Sequence, residues 1–160
     1  MARGNSIIVT ADPQGLFEEG YITTAAKPGT ICQRNAAVAL QGGRHTYVVY
    51  DSDQTGNKAG GAMAILLEDI FQGRDATTAY TAAARARFYF PRPGEEFNLL
   101  VANLAGTGDD HALGESLVPE DGTGLLVAQV GTGEIQPFEL LEAITDPTAD
   151  TLAWVQFTGY

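Results

Sequence analysis

The stretch RARFYFPRPGEEFNLLVA, residues 85–102, contains two runs with the apolar and polar alternation of a strand, separated by Pro93 and Gly94. Alternation with a period of two puts one face of a strand on a core. A Pro-Gly pair turns the chain back, because Pro presets φ at the first central position and Gly supplies the positive φ of the second. The same alternation marks Ser6 to Thr10, His45 to Tyr50, Arg85 to Phe90, Phe97 to Ala102 and Leu152 to Phe157, and a second Pro-Gly pair stands at Pro28-Gly29. With 19 glycines among 160 residues, the chain is predicted to be turn-rich and mainly β, a small barrel or sandwich with few short helices. The helix candidates are Ala62 to Ile70, between Gly60-Gly61 and Gly73, and Glu134 to Ile144, which Pro137 interrupts. Ala76 to Ala84 fits a helical turn, a strand or an extended loop.

In the run from Arg85 to Phe90, Ala86, Phe88 and Phe90 share one face, while Arg85, Arg87 and Tyr89 share the other. The expectation is a core face and an exposed, basic and aromatic strip. A hydrophobic share of 44% over 160 residues supports one well-buried core. Residues 1–14 read as an N-terminal arm or first strand, set off by Pro13 and Gly15, and residues 15–160 as a single β-rich domain. The turn-rich interval 103–124 is the candidate boundary of a small C-terminal lobe. The longest apolar run, Ala62 to Leu67, falls far short of the roughly 20 residues of a membrane helix. The opening MARGNSIIVTAD lacks the apolar stretch of a secretory leader. Cys32 is the single cysteine, so no internal disulfide is expected and its reading is a packed side chain.

Charge divides the chain unevenly. Residues 1–92 hold all nine basic side chains against eight acidic ones, whereas residues 93–160 hold twelve acids and no base. A formal charge of -11 repels nucleic acid and anionic membranes, so neither is an expected partner. The acidic half is either a solvated, solubilising face or one that meets a basic surface on another copy or on a partner.

Reaction signatures fail at defined positions. DSDQTG places Asp51, Asp53 and Gly56 as in a calcium loop, but Ala62 stands where a bidentate Glu is needed. Gly-Thr-Gly occurs at 106–108, 122–124 and 131–133 without completing a dinucleotide fingerprint. Gly114-Glu115-Ser116 departs from a nucleophile elbow at Val118, and its base would have to be His45 or His111. His45, His111 and Cys32 lack zinc-ligand spacing. Adjacent acids such as Glu18-Glu19 and Glu95-Glu96 would point to opposite faces of a strand and cannot converge on one substrate atom. No catalytic residue, cofactor or metal is expected.

The succession AILLEDIFQG (64–73), a Tyr-containing link, RARFYFPRPGEEFNLLVA (85–102) and a Gly-Asp loop, with PGTI at 28–31, resembles the small capsid decoration, or cement, proteins of tailed bacteriophages. The resemblance covers residues 15–130. It implies a β-tulip or small-barrel fold and a homotrimer on the outside of the capsid at three-fold or quasi-three-fold positions. The implied partners are the major capsid protein and further copies of the chain. The implied location is the outer surface of the virion, after synthesis in the host cytoplasm. The candidate interface comprises Ile7, Ile8 and Val9 of the N-terminal strand with Arg85, Arg87, Tyr89 and Arg92. The arginines pair either within their own chain or between chains. The alternative reading is a soluble oligomeric β-domain that binds a small ligand or glycan.

Overall fold

The computed structural model describes residues 6–10, 14–35, 38–51, 62–69, 75–102, 110–128, 137–145 and 149–159. Strands β2 (Leu16–Ile22), β3 (Ile31–Arg34), β4 (Thr46–Val49), β5 (Met63–Leu66) and β6 (Arg85–Phe90) close a barrel in the order β2-β4-β3-β5-β6. Within it only β2 and β4 run parallel. Strands β7 (Glu96–Val101), β8 (Ser116–Pro119), β9 (Leu126–Ala128), β10 (Phe138–Leu140) and β11 (Thr151–Phe157) form a second sheet, β7-β11-β10-β8-β9, and the β7–β9 pairing closes it into a ring. Strand β1 (Ile8–Thr10) adds to β7. The fold is mainly β, built of small barrels, and no helix occurs among the described residues.

The Pro-Gly pairs do what their chemistry dictates. Glu95 N–H donates to Arg92 O at 3.1 Å across Pro93-Gly94, and Gly94 has φ +90°. Thr30 N–H donates to Lys27 O at 3.3 Å across Pro28-Gly29, and Gly29 has φ +87°. The first of these turns carries the chain from one barrel to the other, ahead of the 103–124 interval.

Of the helix candidate Ala62 to Ile70, Ile70 lies outside the described residues and Met63–Leu66 is strand β5. Its four residues are all buried, with Ala64 and Leu66 facing the interior of the first barrel and Met63 and Ile65 facing a core shared with the second. A strand covered on both faces loses the alternation that identifies it and reads as a continuous apolar run. In Glu134 to Ile144, residues 134–136 lie outside the described residues and Phe138–Leu140 is strand β10. Ala76 to Ala84 consists of turns around an isolated bridge between Ala26 and Tyr80.

Two cores follow from this layering. The first barrel encloses Ile22, Cys32, Tyr47, Ala64, Leu66, Tyr80, Ala86 and Phe88, with the Tyr47 and Phe88 rings stacked at 3.7 Å. The second joins Ile31, Ile65 and Tyr89 of the first barrel to Phe97, Leu99, Val155 and Phe157 of the second. The barrels therefore share apolar burial and are not independent beads.

Main-chain bonds cross the same junction. Ile31 N–H donates to Gly124 O at 2.8 Å, and Gly122 N–H to Tyr50 O at 2.8 Å. Gly124 has φ +66°, and a Cβ there would stand 2.8 Å from Thr30 Cγ2 and closer still to Ile31 O. Gly122 has φ +78°, and a Cβ there would meet nothing within 4 Å. Gly124→Ala should therefore destabilise the protein by about 1–3 kcal/mol of conformational strain plus the cost of parting the barrels, and Gly122→Ala by the strain alone. Denaturant unfolding of the two variants against the parent checks this, with the larger loss expected at Gly124.

Candidate functional site

The strip expected on β6 lies beside β2 in an antiparallel ladder, where Glu19 is opposite Arg87, Phe17 opposite Tyr89 and Tyr21 opposite Arg85. The odd-numbered side chains of both strands share the outer face of the first barrel. Glu19 joins two cations there: Arg85 pairs with its carboxylate, and Arg44 Nη2 reaches Oε2 at 3.2 Å. The hydrogen bond from Arg85 holds the Glu19 carboxyl below its ordinary range, with the charges of Arg85 and Arg44 adding to it. Arg85 is thus paired within its own chain. The Arg87 guanidinium lies 5.8 Å from the centroid of the Phe17 ring, and no carboxylate partners it among the described residues.

Tyr89 corrects the expectation of an exposed aromatic strip. It is fully buried, because the second barrel covers its end of β6. Its ring meets Phe17 edge-on at 4.9 Å and Phe97 at 5.7 Å, and its hydroxyl donates to Glu95 Oε1 at 2.6 Å. Arg92 N–H donates to the other oxygen of Glu95 at 2.8 Å, and Arg92 Nη2 reaches Gln14 O at 3.3 Å. Arg92 therefore ties the turn between the barrels to the start of β2.

The N-terminal candidates divide in the same way. Ile7 is fully buried in the shared core and presents no surface. Its N–H faces the Glu68 carboxylate at 3.2 and 3.3 Å, its C=O accepts from Asn98 N–H at 2.7 Å, and Ser6 Oγ donates to Glu68 at 2.8 Å. The segment is stitched to both barrels of its own chain. Ile8 is partly buried, and Val9 is exposed.

Sequence reasoning missed β2, which supplies half of this surface. LFEEGYI has two adjacent apolar residues and two adjacent acids, so it lacks alternation. The adjacent acids nonetheless separate as strand geometry requires. Glu19 faces outward, while Glu18 turns to the mouth of the barrel, where it pairs with Arg34 and stands 3.9 Å from His45 Nε2. Arg34 Nε also donates to the Tyr47 hydroxyl at 3.4 Å, and its guanidinium lies 5.2 Å from the Phe90 ring centroid. Burial pushes the Tyr47 phenol well above its ordinary value, against the opposing pull of Arg34.

The other candidates are placed as follows. Burial pushes the Cys32 thiol far up, in keeping with a packed side chain. His111 is buried with Nδ1 2.9 Å from Glu115 Oε2, and no hydrogen bond joins it to Ser116 among the described residues. Asp53 and Gly56 of the calcium-like loop lie outside the described residues, as do the Gly-Thr-Gly elements at 106–108 and 131–133. No group of three metal-ligating side chains converges among the described residues. At the junction of the barrels a shallow hollow of about 290 Å³ is lined by Ala26, Lys27, Thr30, Leu100, Leu125 and Asp150 among others.

Neither a protein-family model nor a curated protein matches this chain.

Two outcomes follow for the strip. Tyr89→Phe leaves the buried Glu95 carboxylate short of a donor and should cost about 1–3 kcal/mol in denaturant unfolding. Because the folded-state pKa of Glu19 is depressed, its ion pairs stabilise the fold above the ordinary carboxylate range and lose that effect as pH falls through the folded value. Arg85→Gln should therefore melt below the parent at neutral pH and together with it in acid, as measured by thermal unfolding across pH.

Proposed function

We propose that this chain is a structural protein of a tailed bacteriophage that binds the outer surface of the capsid and stabilises the shell by bridging major capsid protein subunits. The observation that carries the reading, beside the sequence resemblance, is how charge is distributed over the fold. The boundary between the mixed and the all-acidic parts of the sequence coincides with the turn between the barrels, so strands β7 to β11 and their described connections carry acids and, among the described residues, no Lys or Arg. A rigid body with one mixed-charge lobe and one acidic lobe suits docking by complementary surfaces on a repeating lattice, where many modest contacts act together. The reading includes association of the chain with itself, as a homotrimer. It calls for no reactive group.

A second reading, a soluble oligomeric β-domain for a small ligand or glycan, is favoured by the hollow between the barrels, which brings the cationic Lys27 and the anionic Asp150 to one largely apolar recess. Charge reversal at Lys27 would weaken ligand binding in that case and leave shell binding unchanged.

Purified protein mixed with undecorated shells of the cognate phage should sediment with them, saturate at a fixed ratio to the major capsid protein, and raise the temperature at which the shells rupture. Arg85→Glu combined with Arg87→Glu should reduce the bound fraction while the free protein stays folded. Its melting temperature should fall, because Arg85 pairs with Glu19 in the same chain. Shells that bind no protein, or bind it without saturation, overturn the reading.

A further inference from the structure

Two strand edges are open among the described residues. Ile22 N–H donates to Ala84 O at 3.0 Å, which sets the parity of the β2–β6 ladder. Even-numbered residues of β2 bond to β6, and the main-chain groups of Phe17, Glu19 and Tyr21 point the other way. Tyr21 N–H is taken up by His45 O at 3.1 Å, but β4 begins at Thr46, opposite Tyr21. Phe17 and Glu19 therefore meet no main-chain partner among the described residues. Strand β1 bonds to β7 on one side only, and its outer side is likewise without a neighbouring strand there.

The charge at the β2 edge repels a basic strand but not an acidic one. Exposed edges are commonly guarded by charge that repels an incoming strand. Glu18 and Glu19 occupy such positions, but Arg34, Arg44 and Arg85 neutralise them within the chain. Leu16 and Phe17 beside them are 54% and 45% exposed. We propose that the open edge of β2 receives the outer edge of β1 from a second copy of the chain, a head-to-tail strand addition between copies. This deepens the self-association named above and rests on that reading.

Charge selects the occupant. Around the β2 edge stand Arg34, Arg44, Arg85 and Arg87 against Glu18 and Glu19, a local surplus of positive charge in a protein of net charge -11. Strand β1 adds to β7 of the barrel whose described residues include acids and no Lys or Arg, and its Thr10 sits opposite Glu96 in the ladder. Pairing β2 with β1 of a neighbour sets the arginines against that acidic barrel, whereas pairing β2 with β2 sets them against each other. The contact is heterologous, so it closes into a ring or propagates as a filament according to the rotation between copies.

The test uses the isolated full chain. Sedimentation equilibrium should show self-association that weakens when salt is raised from about 0.05 M to about 0.5 M. Proline is tolerated at an edge position whose N–H faces outward, so Glu19→Pro removes no bond to β6. That variant should keep the circular dichroism of the parent and raise the self-association constant, expressed as Kd, at least about tenfold. Phe17→Lys, which adds a charge to the edge without touching the main chain, should do the same and serves if the proline variant does not fold. A parent chain that stays monomeric up to about 1 mM overturns the proposal, as does association unchanged in a folded Glu19→Pro or Phe17→Lys. Shell binding is measured separately: a monomer that still saturates shells overturns only the edge pairing, and an oligomer that ignores shells overturns only the capsid reading.

Discussion

Three main-chain amides on one edge of β7 are taken up by three different parts of the chain. Asn98 N–H donates to Ile7 O, Leu100 N–H to Gly29 O and Ala102 N–H to Leu126 O. Buried amides must find acceptors, and no single strand here is long enough to supply all three. Strand β9 reaches only the far end of β7, so the N-terminal segment and the Pro28-Gly29 turn complete the edge. The second barrel is thus finished by a turn belonging to the first. Gly29 makes this approach feasible, since a Cβ there would stand 3.3 Å from Asn98 O and from Ile7 Cδ1. Its positive φ and its lack of a side chain serve one purpose.

Several acids of the second barrel accept hydrogen bonds from neutral donors. Glu95 accepts from the Tyr89 hydroxyl, Glu96 from Trp154 Nε1 at 3.0 Å, Glu142 from Trp154 N–H at 2.7 Å and Glu120 from Thr123 Oγ1 at 2.7 Å. These donors bring hydrogen bonds and no positive charge of their own. The first barrel behaves differently. Its Glu18 and Glu19 meet guanidinium groups, and the cations of the chain that lie near them are used there. Sequence position and fold together group the acids in one lobe.

Much of this was legible in the sequence where one face of a strand is wet. Arg85 to Phe90 shows its alternation because Arg85 and Arg87 reach solvent, and both Pro-Gly turns announce themselves through backbone chemistry alone. Legibility failed where burial is two-sided. β5 reads as an apolar run because both of its faces are covered, and Tyr89 reads as exposed because nothing local signals that the second barrel will pack over the end of β6. Strand β2 was missed for the opposite reason: its Glu18 and Glu19 look like loop charges until Arg34 and Arg85, distant in sequence, are brought to them. The partition of charge at residue 92 was plain, but its coincidence with the turn between two barrels emerges only from the fold.

That coincidence has a consequence for any surface the protein meets. Exposed charges are screened over about 8 Å at physiological ionic strength, so a field survives to contact only where charges of one sign are grouped and fixed. Grouping comes from the sequence. Fixing comes from the shared core, since Tyr89 packed on Phe97 and the bonds across Gly124 and Gly29 hold the lobes in one arrangement. A lobe that hinged freely would lose part of each contact to the entropy of ordering it, and the complementary potential would act on no defined geometry. The junction is therefore as much a part of the electrostatics as the carboxylates: it converts an uneven sequence into a directional surface.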